Sequence, residues 1–341
     1  MRPETLKIEG RYILESGRHL TDPVIAYHTF GELNARKDNV VWVCHALTAN
    51  SNVYEWWPGL FGPTDLFNDQ DYFIVCANML GSHYGTTGPL HMNPDTGTKY
   101  YHDFPEITIR DMVGLHRRLA DHLGIEKIHL VLGGSMGGQQ ALEWIIIEPY
   151  RFVHAALIAT NAVHSPWGVA FNESQRMAIE SDVTWKLRQD DAGLEGMKAA
   201  RSVALLSYRN YGTYFHAQQP TNDQLTYPDR APSYQRYQGL KLARRFNAFS
   251  YWHLSKAMDS HNIGRGRQSI EWALDKIEAR VLALTLERDI LFPESEQKRL
   301  CAGIRNATHQ VIRSTYGHDG FLIETEKLSS QFRMFLQPVK A

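Results

Sequence analysis

Short apolar runs rich in β-branched and aromatic residues mark the first half of the chain at residues 24–31, 40–46, 72–77, 127–132 and 152–159. Runs of this length, bounded by turn-forming residues, predict strands. Residues 108–123 change period: Met112, Leu115, Leu119 and Leu123 recur at three- and four-residue spacing, which predicts an amphipathic helix. Residues 138–147 predict a second helix, just after the fourth strand. Strands alternating with helices predict a largely parallel sheet covered on both faces.

The rhythm stops near residue 163. From there to 272 the pattern is helical, with helices predicted at 195–208 and, rich in aromatics, at 237–257. Residues 220–232 hold three prolines and predict a loop. Strands return at 280–286 and 309–314, followed by a closing helix near 327–335. The reading is one α/β domain made of residues 1–162 and 273–341, with residues 163–272 inserted as a helical lid. Such a lid excludes water from a reactive site and shapes it.

The turn after the 127–132 run carries the strongest functional signal. Gly133-Gly134-Ser135-Met136-Gly137 is a G-x-S-x-G sequence between a predicted strand and a predicted helix. That setting is the nucleophile elbow, in which a tight turn lifts a serine hydroxyl above a sheet. A Gly-rich turn without chemistry fits the five residues alone, but the flanking elements favour the elbow. Serine needs a base oriented by a carboxylate, and the chain order in this arrangement is Ser, Asp or Glu, then His. Asp289 follows the 280–286 strand, with Glu287 as a nearer competitor. His318 follows the last strand and a turn, and Asp319 beside it is another candidate carboxylate. The oxyanion donors fall to the backbone N–H groups of Met136 and, in the loop after residues 40–44, Leu47. His45 precedes the serine and reads as structural.

Composition narrows the function further. The chain has 341 residues and a net charge of −1, which argues against a nucleic-acid partner. No apolar segment is long enough to span a bilayer, and the first residues lack the apolar core of a signal peptide. Three scattered cysteines (Cys44, Cys76, Cys301) argue against a disulfide framework and point to a reducing cytoplasm. Sixteen histidines show no metal-binding spacing, so no metal is expected. Gly264-Arg265-Gly266-Arg267 reads as a turn with salt-bridged arginines rather than an RNA site.

With these residues in place, the chain resembles the homoserine O-acetyltransferases of the α/β-hydrolase superfamily. The resemblance is carried by CHALTAN (44–50), WWPGLFGP (56–63), CANMLGSHYGTTGP (76–89), GGSMGGQQALEW (133–144), ARSVALLSYRN (200–210), residues 236–267, RDILFP (288–293) and YGHDGFLIE (316–324). These segments run in family order along nearly the whole chain. The resemblance implies an α/β-hydrolase fold with a mostly parallel sheet and an inserted helical lid, and a Ser135–His318–Asp289 triad with oxyanion donors at Leu47 and Met136. It implies that Arg201 binds an amino-acid carboxylate, that Tyr208 lines the same pocket, and that Asp319 holds the substrate ammonium. The implied reaction is ping-pong transfer of an acetyl group from acetyl-CoA, a co-substrate rather than a bound cofactor, to L-homoserine in methionine biosynthesis. A homodimer through the lid helices is implied as well. Ser82-His83 stands where the family often has Gly-Cys, and the chain is somewhat short for the family. Succinyl-CoA as donor, L-serine as acceptor and plain ester hydrolysis remain open from the sequence.

Overall fold

The computed structural model describes residues 2–337. Its centre is an eight-stranded sheet of β1 (Glu4–Lys7), β2 (Val24–Phe30), β3 (Val40–Cys44), β4 (Phe73–Ala77), β5 (Ile128–Gly134), β6 (Phe152–Ile158), β7 (Arg280–Leu286) and β8 (Ala307–Ile312). The strand order across the sheet is β1-β2-β4-β3-β5-β6-β7-β8. The β1–β2 and β2–β4 pairs are antiparallel, and every pair from β4–β3 to β7–β8 is parallel. The largely parallel sheet expected from the sequence is therefore present, with an antiparallel edge. β3 is buried at all five positions and β5 at six of seven, as strands covered on both faces must be. β1 (Glu-Thr-Leu-Lys) was not legible, because an exposed edge strand has no apolar run to show.

Helix α2 (Met136–Ile147) packs against the sheet and against α1 (Ile109–His122), whose His116 ring meets Trp42 of β3. α1 begins with a capping box. Thr108 Oγ1 accepts from the Asp111 N–H, while the Asp111 carboxylate accepts from the Thr108 N–H at 2.8 Å. Two otherwise unpaired donors of the first turn are satisfied reciprocally. α2 is buried on nearly every side, so it shows no amphipathic stripe. Its start is fixed by the turn before it.

Between β6 and β7 lie α3 (Pro166–Glu180), α4 (Leu194–Tyr208), α5 (Tyr211–Ala217), α6 (Arg230–Ala243), α7 (Ala248–Asp259) and α8 (Ile270–Asp275). The single helix expected at 237–257 is two helices. The break falls at 244–247, where Asn247 Oδ1 accepts from the Ser250 N–H at 2.7 Å and caps α7. An Asn N-cap supplies a partner that an uninterrupted helix would not need. The loop expected at 220–232 ends early, since α6 starts at Arg230. Pro232 sits in its first turn, where a missing N–H costs nothing. The chain closes with α9 (Glu294–Gly303) and α10 (Thr325–Leu336).

The Gly264–Arg267 segment is a turn, as expected. Arg265 pairs with Glu15 at 2.7 Å, and Arg267 pairs with the buried Glu143, which Arg110 also reaches at 3.0 Å. These arginines are committed inside the protein. Among the described residues no helix is long and apolar enough to cross a membrane, and no cluster of three His, Cys, Asp or Glu could hold a metal ion.

Candidate active site

The turn from β5 into α2 places Ser135 at φ 57° and ψ −125°. A side-chain-bearing residue pays roughly 1–3 kcal/mol for backbone of this kind, so the surroundings must hold it. The Ser135 N–H donates to Ile158 O at 2.9 Å, and its carbonyl accepts from the Gln139 N–H at 3.2 Å. The flanking glycines are there for space. A Cβ on Gly137 would lie 2.0 Å from Cys44 O, and one on Gly133 would lie 2.3 Å from Gly137. The strand, the turn and the loop after β3 can approach this closely only without side chains at those two positions.

His318 comes from the turn after β8 and Asp289 from the turn after β7. His318 Nδ1 meets Asp289 Oδ2 at 2.7 Å, with both side chains buried. The other oxygen of Asp289 accepts from the N–H groups of Leu291 and Phe292 at 2.8 and 2.9 Å. The carboxylate is thereby fixed and aimed as an acceptor, so His318 Nδ1 donates to it and Nε2 is left as an acceptor. Glu287, the competing carboxylate, is exposed, and its N–H donates to Ile312 O of β8 at 2.9 Å. Phe292 stacks on the imidazole at 5.2 Å, with Phe321 and Tyr208 at 5.4 and 5.6 Å. Burial pulls the His318 pKa down, but the Asp289 charge and hydrogen bond, helped by the Asp319 charge, more than offset it. The net shift is upward from 6.5.

Ser135 and His318 open into one cavity of about 390 Å³, with Leu47, Arg201, Tyr208 and Asp319 also in its wall. Met136 is the first residue of α2, so its N–H has no intrahelical acceptor and lies at the positive end of the helix dipole. Leu47 lies in the loop after β3. That loop is pinned by His45, whose Nδ1 donates to Ala46 O at 2.9 Å and whose Nε2 accepts from the Met79 N–H at 3.2 Å. Burial pushes His45 down to about 4. It is a neutral structural imidazole.

α4 contributes Arg201 and, two turns on, Tyr208, with the guanidinium 5.3 Å from the ring centre. Among the described residues Arg201 makes no ion pair, so it offers the cavity an uncommitted cation. Asp319 is already paired, with Arg209 Nε at 2.9 Å, a contact the sequence did not suggest. Lys241 and Arg245 were also missed as wall residues. Arg245 reaches the loop after β3 and the Tyr84 hydroxyl. These are tertiary contacts from a lid helix and its end, with no local motif to reveal them. Ser82 and His83 are outside the cavity wall. His83 instead meets Asn247 at 2.8 Å.

Residues 39–325 match the family model of the α/β-hydrolase fold. A homoserine O-acetyltransferase of Cyclobacterium marinum is 49% identical over 98% of this chain and 95% of its own length. The crystal structure of homoserine O-acetyltransferase from Bacillus anthracis superposes with a TM-score of 0.92 at 24% identity, covering 100% of this chain and 98% of that one. Esterase E22 superposes with a TM-score of 0.90 at 21% identity, covering 98% of this chain and 100% of that one. At those identities the two structures speak for the fold alone. The sequence relationship goes further: by its identity and coverage, the chain belongs to the homoserine O-acetyltransferase family within the α/β-hydrolase fold.

Proposed function

We propose that the protein is an acyltransferase that moves the acetyl group of acetyl-CoA to the hydroxyl of L-homoserine, a step of methionine biosynthesis. The observation that carries this reading is one cavity joining Ser135 and a His318 oriented by Asp289 to an uncommitted Arg201. Serine hydrolysis alone has no use for that arginine, whereas an amino-acid acceptor does, since a guanidinium binds a carboxylate through two parallel hydrogen bonds.

The reaction proceeds in two halves. Ser135 Oγ attacks the thioester carbonyl and passes its proton to His318 Nε2, while the N–H groups of Met136 and Leu47 receive the charge forming on oxygen. The C–S bond breaks, the coenzyme A sulfur leaves with the proton from His318, and an acetyl-serine remains. Homoserine then enters with its carboxylate on Arg201 beside Tyr208 and its ammonium on Asp319, which Arg209 holds in place. His318 takes the proton of the acceptor hydroxyl, the new ester forms, and Ser135 regains its proton. No tightly bound cofactor is needed. Lys241 and Arg245 in the cavity wall add positive charge suited to an anionic donor.

We take residues 163–272 as the lid and residues 1–162 with 273–341 as the catalytic domain. The three free cysteines support a reducing, cytoplasmic setting. A homodimer through the lid is supported by exposed apolar side chains on its outer helices: Leu206, Tyr211, Phe215, Tyr237 and Leu240. The interface core is not the whole 237–257 stretch, because Phe249, Tyr251 and Leu254 are buried inside their own protomer. Light scattering at micromolar concentration should give twice the chain mass, and Tyr211→Asp with Phe215→Asp should return it to one. A monomer in the parent protein sinks this part of the reading.

Thiol release from acetyl-CoA and succinyl-CoA, each with L-homoserine, L-serine or no acceptor, tests the activity. Release from acetyl-CoA that depends on homoserine is expected, and acceptor-independent release means a hydrolase instead. Arg201→Ala should raise the KM for homoserine about 10- to 100-fold, the effect of losing a hydrogen-bonded charge pair. Hydrolysis of a neutral acetyl ester should stay near the parent rate. Equal losses on both substrates would mean that Arg201 acts in packing rather than in carboxylate binding.

A further inference from the structure

Behind the nucleophile elbow lies a chain of polar side chains that the two-step reaction leaves unused. Thr160, in the segment following β6, is fully buried, as is Gln297 of α9, and Thr285 of β7 is 2% exposed. Polar groups at that depth are costly unless hydrogen-bonded, and here they are bonded to one another. Thr285 Oγ1 meets His309 Nε2 at 2.8 Å and donates to Gln297 Oε1 at 3.1 Å. The Gln297 amide donates to the Thr160 carbonyl. The network ends where the Thr160 hydroxyl donates to the Ser135 carbonyl oxygen at 3.0 Å.

That carbonyl belongs to the same planar peptide group as the Met136 N–H. A hydrogen bond on the oxygen fixes the plane and so the direction of the N–H. It also polarises the amide, because linked hydrogen bonds strengthen one another. Thr160 is held close enough to do this by a missing side chain: a Cβ on Gly138 would lie 2.6 Å from Thr160 Cβ and 2.9 Å from Oγ1. The second glycine of the Gly137-Gly138 pair therefore makes room for the threonine, as the first makes room for the loop after β3.

We infer that Thr160 is a positioning residue for the oxyanion donor, setting the Met136 N–H through its hydrogen bond to the other end of the same peptide. The inference rests on Ser135 being the nucleophile and the Met136 N–H an oxyanion donor. Thr160→Val removes the donor and keeps the shape, and Ser135 O retains the Gln139 N–H, so no buried carbonyl is orphaned. Thr160→Ser restores the hydroxyl. Losing an oxyanion donor outright costs about 100- to 1000-fold. Misdirecting one should therefore lower kcat about 10-fold in Thr160→Val, for both coenzyme A release and acetyl transfer to homoserine, with KM unchanged. Butylboronic acid, which forms a tetrahedral adduct on an active serine, should bind more weakly by the same factor, while Thr160→Ser stays within about twofold of the parent on every measure.

A Thr160→Val enzyme that keeps parental kcat overturns the inference. So does one that loses kcat without weakening boronate binding, or a Thr160→Ser enzyme as impaired as Thr160→Val. If Thr160→Val does not fold, Thr160→Ala compared with Thr160→Ser reads the same hydroxyl. The underlying assignment fails separately, by absence of acetyl label on Ser135 of the parent protein.

Discussion

Ser135→Ala should abolish acetyl transfer, lowering kcat by about 10⁵-fold or more, the scale seen when a triad nucleophile is removed. Both half-reactions run through its Oγ, so coenzyme A release and product formation should vanish together. A single-phase transfer would be needed for one to survive without the other. Folding should be undisturbed. Ser135 is held in its turn by backbone hydrogen bonds and by close-packed glycines, and alanine at φ 57° relaxes nothing that serine did not already strain. Stopped-flow thiol release checks it. A variant that still released coenzyme A at more than about a hundredth of the parent rate would mean that the attacking atom lies elsewhere.

Asp289→Asn should cost about 10⁴-fold in kcat, and it should also move the pH profile. Asparagine facing His318 Nδ1 can present its amide as a donor, which places the imidazole proton on Nε2, where the base must be free. The acid limb carries the second signature. His318 works as a base only when neutral, so activity rises as pH climbs through its pKa. In the parent protein, Asp289 helps hold that pKa above its ordinary 6.5, so the acid limb of kcat/KM should lie above pH 6.5. With Asp289 neutralised, burial dominates and the limb of the residual activity should shift to lower pH. A limb that stayed in place would show that the profile reports another group.

How far the site was legible depended on whether its residues were set by local or by distant contacts. The elbow was readable because strand, glycines, serine and helix lie within one continuous stretch. Asp289 could be preferred to Glu287 because Glu287 is still paired with β8, where side chains stand on the faces of a sheet, while Asp289 comes from the turn beyond. The His45 imidazole, read as structural, donates to Ala46 O in the loop that carries Leu47 and accepts from the Met79 N–H. The Arg209–Asp319 pair, Lys241 and Arg245 were not legible, because each depends on how the lid is folded onto the turns after β3 and β8. The break between α6 and α7 was hidden in the same way. Residues 237–257 are rich in aromatics on both sides of the break, and only the Asn247 cap and the buried Phe246 show where the helix must stop.

The fold, by contrast, was readable where the sheet is buried and unreadable at its β1 edge. β3 is a continuous apolar run and β5 is one but for His129, because both their faces are covered. β1 is a charged edge strand whose pairing with β2 is visible only in space. Thr160 belongs to the same class: a single threonine after a strand has no signature, and its partner is the carbonyl of a residue 25 positions away.

In the proposed reaction an acetyl group rests on Ser135 between the two half-reactions. The direct measurement is to mix the protein with acetyl-CoA alone, quench in acid, and map the acetyl label by peptide mass spectrometry, then repeat after adding L-homoserine. One acetyl group is expected on the Ser135 peptide, retained without acceptor and discharged as O-acetylhomoserine once homoserine is present. Product formation with no label on Ser135, or a label that persists unchanged through turnover, would contradict the proposed reaction.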